Sequence, residues 1–421
     1  AHAVLIDCSD TIRIKEAGRH NALYSATSAP FVSVMNFLSH PLWLVGFRPF
    51  FSLACLSGAL LPIVWALMFS GVLPAPATPF SPSQWHAHEM FFGFGWAVLG
   101  GFLLTSTKNW VNIRGYHGLP VMLLVAAWLF ERLGMWCAGE WPRWLFLVSN
   151  NLFLASIVLM LLATLIMHRK DDSYRIDNGF FLVVLPLYLV AKNLMLAPDT
   201  FSLGWSMTLG LFRMAFLVML ERTLTQFMKG VFQATILRKA PLDNAIKLMA
   251  LSLVFEGFMP PAFAGAIELT LASLLLGRFV FWKPMLAMTR IDIGIMHLGY
   301  LGIVAQLQLD GIGRFMNLHW IGTLPVHIFT FGVMGLIIPG MIVRISNGHT
   351  GRKVVFGMAD KAVLWLMIAA LMLRVIAPQV LPNAYVGLIH AAACCWFFAF
   401  GTLAVRYIPI LMRPRIDGKE H

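Results

Sequence analysis

Stretches of about twenty consecutive apolar residues recur along nearly the whole chain, and nothing else in the sequence constrains the fold as strongly. A helix of about twenty residues crosses the ~30 Å hydrocarbon core of a bilayer. Inside lipid every backbone N–H and C=O must find its partner within the protein, which leaves only helices and closed barrels. Barrel strands alternate polar and apolar side chains over about ten residues. Runs such as "NLFLASIVLMLLATLIM" (151–167) do not alternate. The chain is therefore expected to be an all-α polytopic membrane protein. Its 12% of charged residues agrees, since soluble domains carry about 25%.

Twelve spans are expected, at 50–70, 88–107, 119–138, 144–167, 179–197, 203–221, 244–262, 264–281, 291–309, 317–343, 359–377 and 383–408. The connections are too short for a separate soluble domain, so residues 41–421 read as one integral-membrane unit. Residues 1–40 read as a weakly ordered N-terminal extension, and "MNFLSHPLWLVGFRPFF" from Met35 looks like a natural start. With both termini in the cytoplasm, the cytoplasmic loops and tail carry most of the Lys and Arg, among them Lys108, Arg169, Lys170, Arg238, Lys239, Arg344, Arg352, Arg413 and Arg415. The opposite loops then hold Arg143 and Arg314, with Arg374 close by. This is the positive-inside pattern. It also accounts for the net charge of +12 as loops facing an anionic leaflet, and no nucleic-acid partner is implied. The five cysteines form no CxxC or CxxCH, which argues against a thiolate zinc site and covalently attached haem.

The polar residues within the spans carry the chemistry. "WHAHEMFFGF" (85–94) places His86, His88 and Glu89 at the outer end of the second span. His319 and His327 lie at the outer end of the tenth, His390 in the outer part of the twelfth, His297 in the ninth and His349 just past the tenth. Ionisable groups in a span cost on the order of 2.5–3.5 kcal/mol when charged. Imidazole can stay neutral, and it is a common ligand of haem iron and copper. The set therefore reads as one or more metal sites between helices, with Glu89 fixing a tautomer or carrying a proton. Two residues apart on a helix means about 200° of rotation, so His86 and His88 point to opposite faces unless His86 precedes the helix. Isolated buried histidines also serve as hydrogen-bonding partners between helices, and His319 and His390 are the weaker candidates for that reason. Arg48, Arg222 and Arg344 are candidates to pair with a carboxylate such as a haem propionate.

"GFRPFF" (46–51), "WHAHEMFFGF", "GFLLT" (101–105), "HLGY" (297–300), "HIFTFGVMG", "MIVRISNGHTGR" (341–352) and the closing "RYIPILMRPRIDG" together resemble the NnrS family over residues 40–418. The resemblance implies a twelve-span bacterial inner-membrane protein with haem, b-type and non-covalent, and copper. The implied role is in nitric oxide metabolism and protection against nitrosative stress. The family's histidines carry over onto His86, His88, His297, His327 and His349, and Arg352 of "GHTGR" joins the cofactor-binding candidates. The implied partners are the lipid bilayer and nitric oxide or iron–nitrosyl species. The electron donor, and whether nitric oxide is converted or only bound, stay open. The family's GGRxxPxF pattern appears here as "LERTLTQF" (220–227), with Thr225 in place of proline, which puts a helix kink there in question. Two other readings stand beside this one: a transporter of a metal or haem, and a nitric oxide reductase on a non-oxidase scaffold.

Overall fold

The computed structural model describes residues 39–76, 78–316, 318 and 320–419. The expected extension, apart from Ser39 and His40, and the candidate His319 lie outside the described residues. From Pro41 onward the chain forms one helical unit. In chain order its long helices are α1 (Phe47–Phe69), α2 (Pro82–Val111), α3 (Leu119–Trp136), α4 (Arg143–Met167), α5 (Arg175–Met195), α6 (Phe201–Phe232), α7 (Ala240–Ser252), α8 (Pro261–Phe281), α9 (Ile291–Phe315), α10 (Leu324–Gly348), α11 (Met358–Val380) and α12 (Tyr385–Leu411).

Among the described residues, ten of these helices are long and apolar enough to cross a membrane. The exceptions are α7 and α9, which occupy the seventh and ninth expected spans. After thirteen residues α7 tightens into a 3-10 segment, Leu253–Phe258, and stops before Pro260 and Pro261, which cannot continue a helix. α9 is 25 residues long but carries Asp292, Gln306 and Arg314. Each of these meets a partner on a neighbouring helix: Asp292 meets Arg344, Gln306 meets Arg213, and Arg314 forks onto Glu268 at 2.9–3.1 Å. These three polar groups are thus satisfied by other helices, while Asp310 accepts from Gln306 on α9 itself.

The surface is the inverse of a soluble protein's. Leu119, Leu159, Ile166, Phe398 and Val405 are exposed, while Glu131, Lys192 and Arg213 have no exposure at all. An apolar exterior around a charged interior is what a lipid solvent selects. α1 packs along α12 and α2, and α5 packs along α6. The sequence departure at Thr225 lies within α6, which runs through it without a break, and the hydroxyl of Thr225 donates to the Glu221 carbonyl at 2.8 Å.

Among the described residues, three of the long helices contain a π-helical segment. Glu89–Gly95 in α2, Thr330–Met334 in α10 and Met372–Ile376 in α11 are π-helical. A π-turn inserts one residue into the 3.6-residue repeat and re-aims the side chains that follow. Gly93 lies within the π-turn of α2, where a Cβ would overlap the guanidinium of Arg132.

Candidate functional site

The start of α2 is fixed by a reciprocal cap. Ser81 Oγ accepts from the Gln84 amide at 3.3 Å, Gln84 Oε1 accepts from the Ser81 amide at 2.9 Å, and Pro82 occupies the first turn. His86 therefore sits within the first two turns and faces a cavity of about 410 Å³. From α10, His327 lines the same cavity, and Arg374 of α11 joins them. Trp65, Trp205 and Trp396 wall the space. The three π-helical segments thus adjoin one cavity: one follows His86, one follows His327 and one contains Arg374.

The hydrogen bonds define the His327 tautomer. Its Nδ1 faces the Thr323 carbonyl at 2.7 Å, and a carbonyl can only accept. Its Nε2 lies 3.1 Å from an Arg374 nitrogen, which can only donate. The proton is therefore on Nδ1, and the Nε2 lone pair is on the Arg374 side of the ring. An Nδ1–H bond to a backbone carbonyl is the usual support of a metal-binding imidazole. The His86 ring stacks on Trp65, with centroids 4.4 Å apart and planes 11° from parallel. Its Nδ1 is buried without a hydrogen-bond partner.

His88 points elsewhere. Its Nδ1 lies 3.3 Å from Glu89, and its Nε2 lies 3.9 Å from Glu131 without a hydrogen bond. Glu131 is held by Lys192 at 2.5 Å and Arg132 at 2.6 Å, and Arg132 also reaches Glu89 at 3.3 Å. α2, α3 and α5 are therefore joined by a buried network of two acids, two bases and one imidazole. The opposite facing of His86 and His88 that helical geometry requires is what separates the cavity from this network.

At the far end of the bundle lies a second cavity, of about 630 Å³. Arg48 at the start of α1 and Trp65 near its end are about 25 Å apart along the axis, and the two cavities flank these ends. The second cavity is lined by Lys108, Arg222, Arg344, His349, Arg415 and Lys419 among others. Arg222 is committed to Asp177 at 3.2 Å and Asn178 at 3.0 Å, and Arg344 to Asp292 at 2.7 Å. His349 packs on the Phe47 ring at 5.4 Å. Burial, reinforced by Arg415, Lys108 and Arg48, pushes its pKa down to about 4, so it is neutral at pH 7.

The remaining candidates are dispersed. Arg48 donates to the Leu411 and Arg413 carbonyls at 2.8 and 2.7 Å, capping the end of α12. Arg352, in the loop after α10, has a buried Nη1 without a partner. Both ring nitrogens of His297 face carbonyls, Trp282 at 3.2 Å and Ile293 at 3.4 Å, so this ring ties α9 to the end of α8. His390 is absent from the lining of the first cavity, although its neighbours Ile389 and Ala393 contribute to it. Among the described residues, no three His, Cys, Asp or Glu side chains come together as a group that could hold a metal ion. Arg374 was not among the sequence candidates. A lone arginine in the apolar run "LMLRVIAP" was the available signal.

Fold and site define the class as a multi-pass all-α membrane protein with an imidazole-bearing cavity at one end of its bundle and a cationic cavity at the other. The chain belongs to the NnrS family: the family model described as NnrS protein matches residues 41–415. That membership points to a role in the response to nitric oxide. No curated protein matches the chain.

Proposed function

We propose that this chain is a haem- and copper-binding protein of the bacterial inner membrane, protecting against nitrosative stress by binding nitric oxide or its iron complexes. The observation that carries the reading is the pair His86 and His327, which reach one aromatic-walled cavity from separate helices. Their chemistry fits a metal cofactor. His86 has an orphaned buried nitrogen, and the lone pair of His327 is directed by the Thr323 carbonyl and Arg374. A cavity of about 410 Å³ falls in the range that small-molecule cofactors occupy.

His86, whose buried ring nitrogen has no partner, would hold the haem iron, His327 would face the bound diatomic ligand, and Arg374 would supply a guanidinium for the carboxylates haem carries. Haem, when bound, would supply a site for a diatomic ligand and one-electron chemistry. The tryptophan walls exclude water, and a neutral diatomic reaches such a site through lipid without a polar channel. His88 and His349 remain as separate imidazoles for copper, His88 with an unpartnered Nε2 and His349 held neutral.

The test is purification from membranes followed by visible spectroscopy and metal analysis. A Soret band and bound copper are expected, with the band lost in His86→Ala, weakened in His327→Ala and kept in His297→Gln. A protein that shows neither haem nor copper after reconstitution would overturn the reading.

A further inference from the structure

The structure points to a second ligand site, independent of the haem reading, for which we propose an anionic phospholipid of the surrounding bilayer. A slot of about 70 Å³ lies between α2, α6 and α10 and is lined by apolar side chains such as Phe51, Leu99, Phe212 and Ile338, with Thr223 as the polar exception. Phe102, Met219, Thr223, Met341 and Ile345 line both this slot and the cationic cavity of about 630 Å³. The two spaces therefore share a wall: one end is apolar and the other is basic.

Charge decides what that shape takes. The described lining of the larger cavity includes Lys108, Arg222, Arg344, Arg415 and Lys419 and no carboxylate. Asp177, Asp292 and Asp417 stand behind Arg222, Arg344 and Arg415. These acids leave donors over: Arg222 Nη1 and Arg344 Nε are buried without a hydrogen-bond partner. A cationic mouth continuous with an apolar slot suits an amphiphile with an anionic head and a flexible tail. A slot of about 70 Å³ admits part of one acyl chain and is far too small for a porphyrin. With the basic end facing the cytoplasm, the adjacent leaflet is the anionic one, and basic pockets between spans bind its headgroups. The phosphate sits against Arg222, Arg344 and Arg415, and one chain runs past Met219 and Met341 into the slot.

The test uses the full-length protein purified in mild detergent. Phosphatidylglycerol and phosphatidylcholine of the same chain length are titrated while thermal unfolding is followed, and co-purified lipid is read by native mass spectrometry. Phosphatidylglycerol should bind about tenfold more tightly than phosphatidylcholine and raise Tm. Lys419→Glu together with Arg415→Glu should remove that preference while leaving any Soret band unchanged. Equal stabilisation of the wild-type protein by both lipids would overturn the proposal, as would loss of a haem spectrum in the double variant. The wild-type comparison needs no variant to fold, and it reads the same whether or not the first cavity holds haem.

Discussion

Arg374 and His327 meet at 3.1 Å, nitrogen to nitrogen, across two helices that are each π-wound beside the contact. The same Arg374 nitrogen lies 3.3 Å from the Tyr385 hydroxyl, so the guanidinium links α10, α11 and α12 at the cavity. Because arginine only donates, it selects the His327 tautomer protonated on Nδ1, and the Nε2 lone pair accepts from it. Removing it releases the ring from one of its two restraints. Arg374→Ala is therefore expected to weaken haem retention by about 10–100-fold, the usual cost of losing a group that orients a ligand. Arg374→Lys should recover part of that by restoring a donor. Haem titration of the apo protein checks both, and full retention in Arg374→Ala would remove Arg374 from the site.

Glu131 and Lys192 form a pair with no exposure on either side, 61 residues apart in sequence. Deleting one partner leaves the buried network of Glu89, Glu131, Arg132 and Lys192 with one uncompensated charge. Glu131→Gln or Lys192→Met should each destabilise the protein by about 3–5 kcal/mol. The double variant Glu131→Leu/Lys192→Met should lose less than either single variant, since no unpaired charge remains. Thermal unfolding in detergent provides the comparison, with the single and double variants measured together because the effects cannot add.

These two pairs also show what was legible in the sequence. The helices were readable because a run of about twenty apolar residues has one cheap solution in lipid. α7 and α9 were placed as spans, yet their residue content alone does not class them with the other ten. α7 is cut short before Pro260, and Asp292 and Arg314 of α9 are paired with residues of other helices, which the sequence of one segment does not contain. The histidines were readable as expensive groups needing a reason. That His86 would share a cavity with His327 rather than with His88 followed only in part, from the 200° rule separating His86 from His88. The partner depends on packing between α2 and α10 and on π-turns that leave no mark in apolar periodicity. Glu131 and Arg132 are neighbours in sequence, but the hydrogen bond of Glu131 comes from Lys192 on another helix.

His349 offers a test with a defined pH window. Its pKa is pushed down to about 4 in the folded chain, against about 6.5 when unfolded. Between these values the unfolded state binds the proton and the folded state does not, so stability rises with pH. The contribution is complete above about pH 6.5 and is lost as pH falls towards 4, amounting to no more than about 3 kcal/mol. His349→Gln should flatten the stability profile in that window and leave it unchanged above pH 7. Parallel Tm profiles for variant and wild type would contradict the burial on which this rests.

Gly302 and Gly387 make opposite predictions from the same substitution. A Cβ at Gly302 would lie 2.8 Å from the Gly332 carbonyl oxygen and 2.9 Å from its carbon. Those are backbone atoms of the π-turn just after His327, so no side chain can swing aside to make room. Gly302→Ala must push α9 and α10 apart, at a cost of about 1–3 kcal/mol, and the displaced turn carries His327 with it. Loss of stability should therefore come with weaker haem retention, although Gly302 is absent from the cavity lining. At Gly387, in α12, nothing lies within 4 Å of the added carbon. Alanine there gains only helix propensity, so Gly387→Ala should leave haem untouched and raise stability by up to about 1 kcal/mol. Equal effects from the two substitutions would mean that the α9–α10 contact does not position the His327 turn.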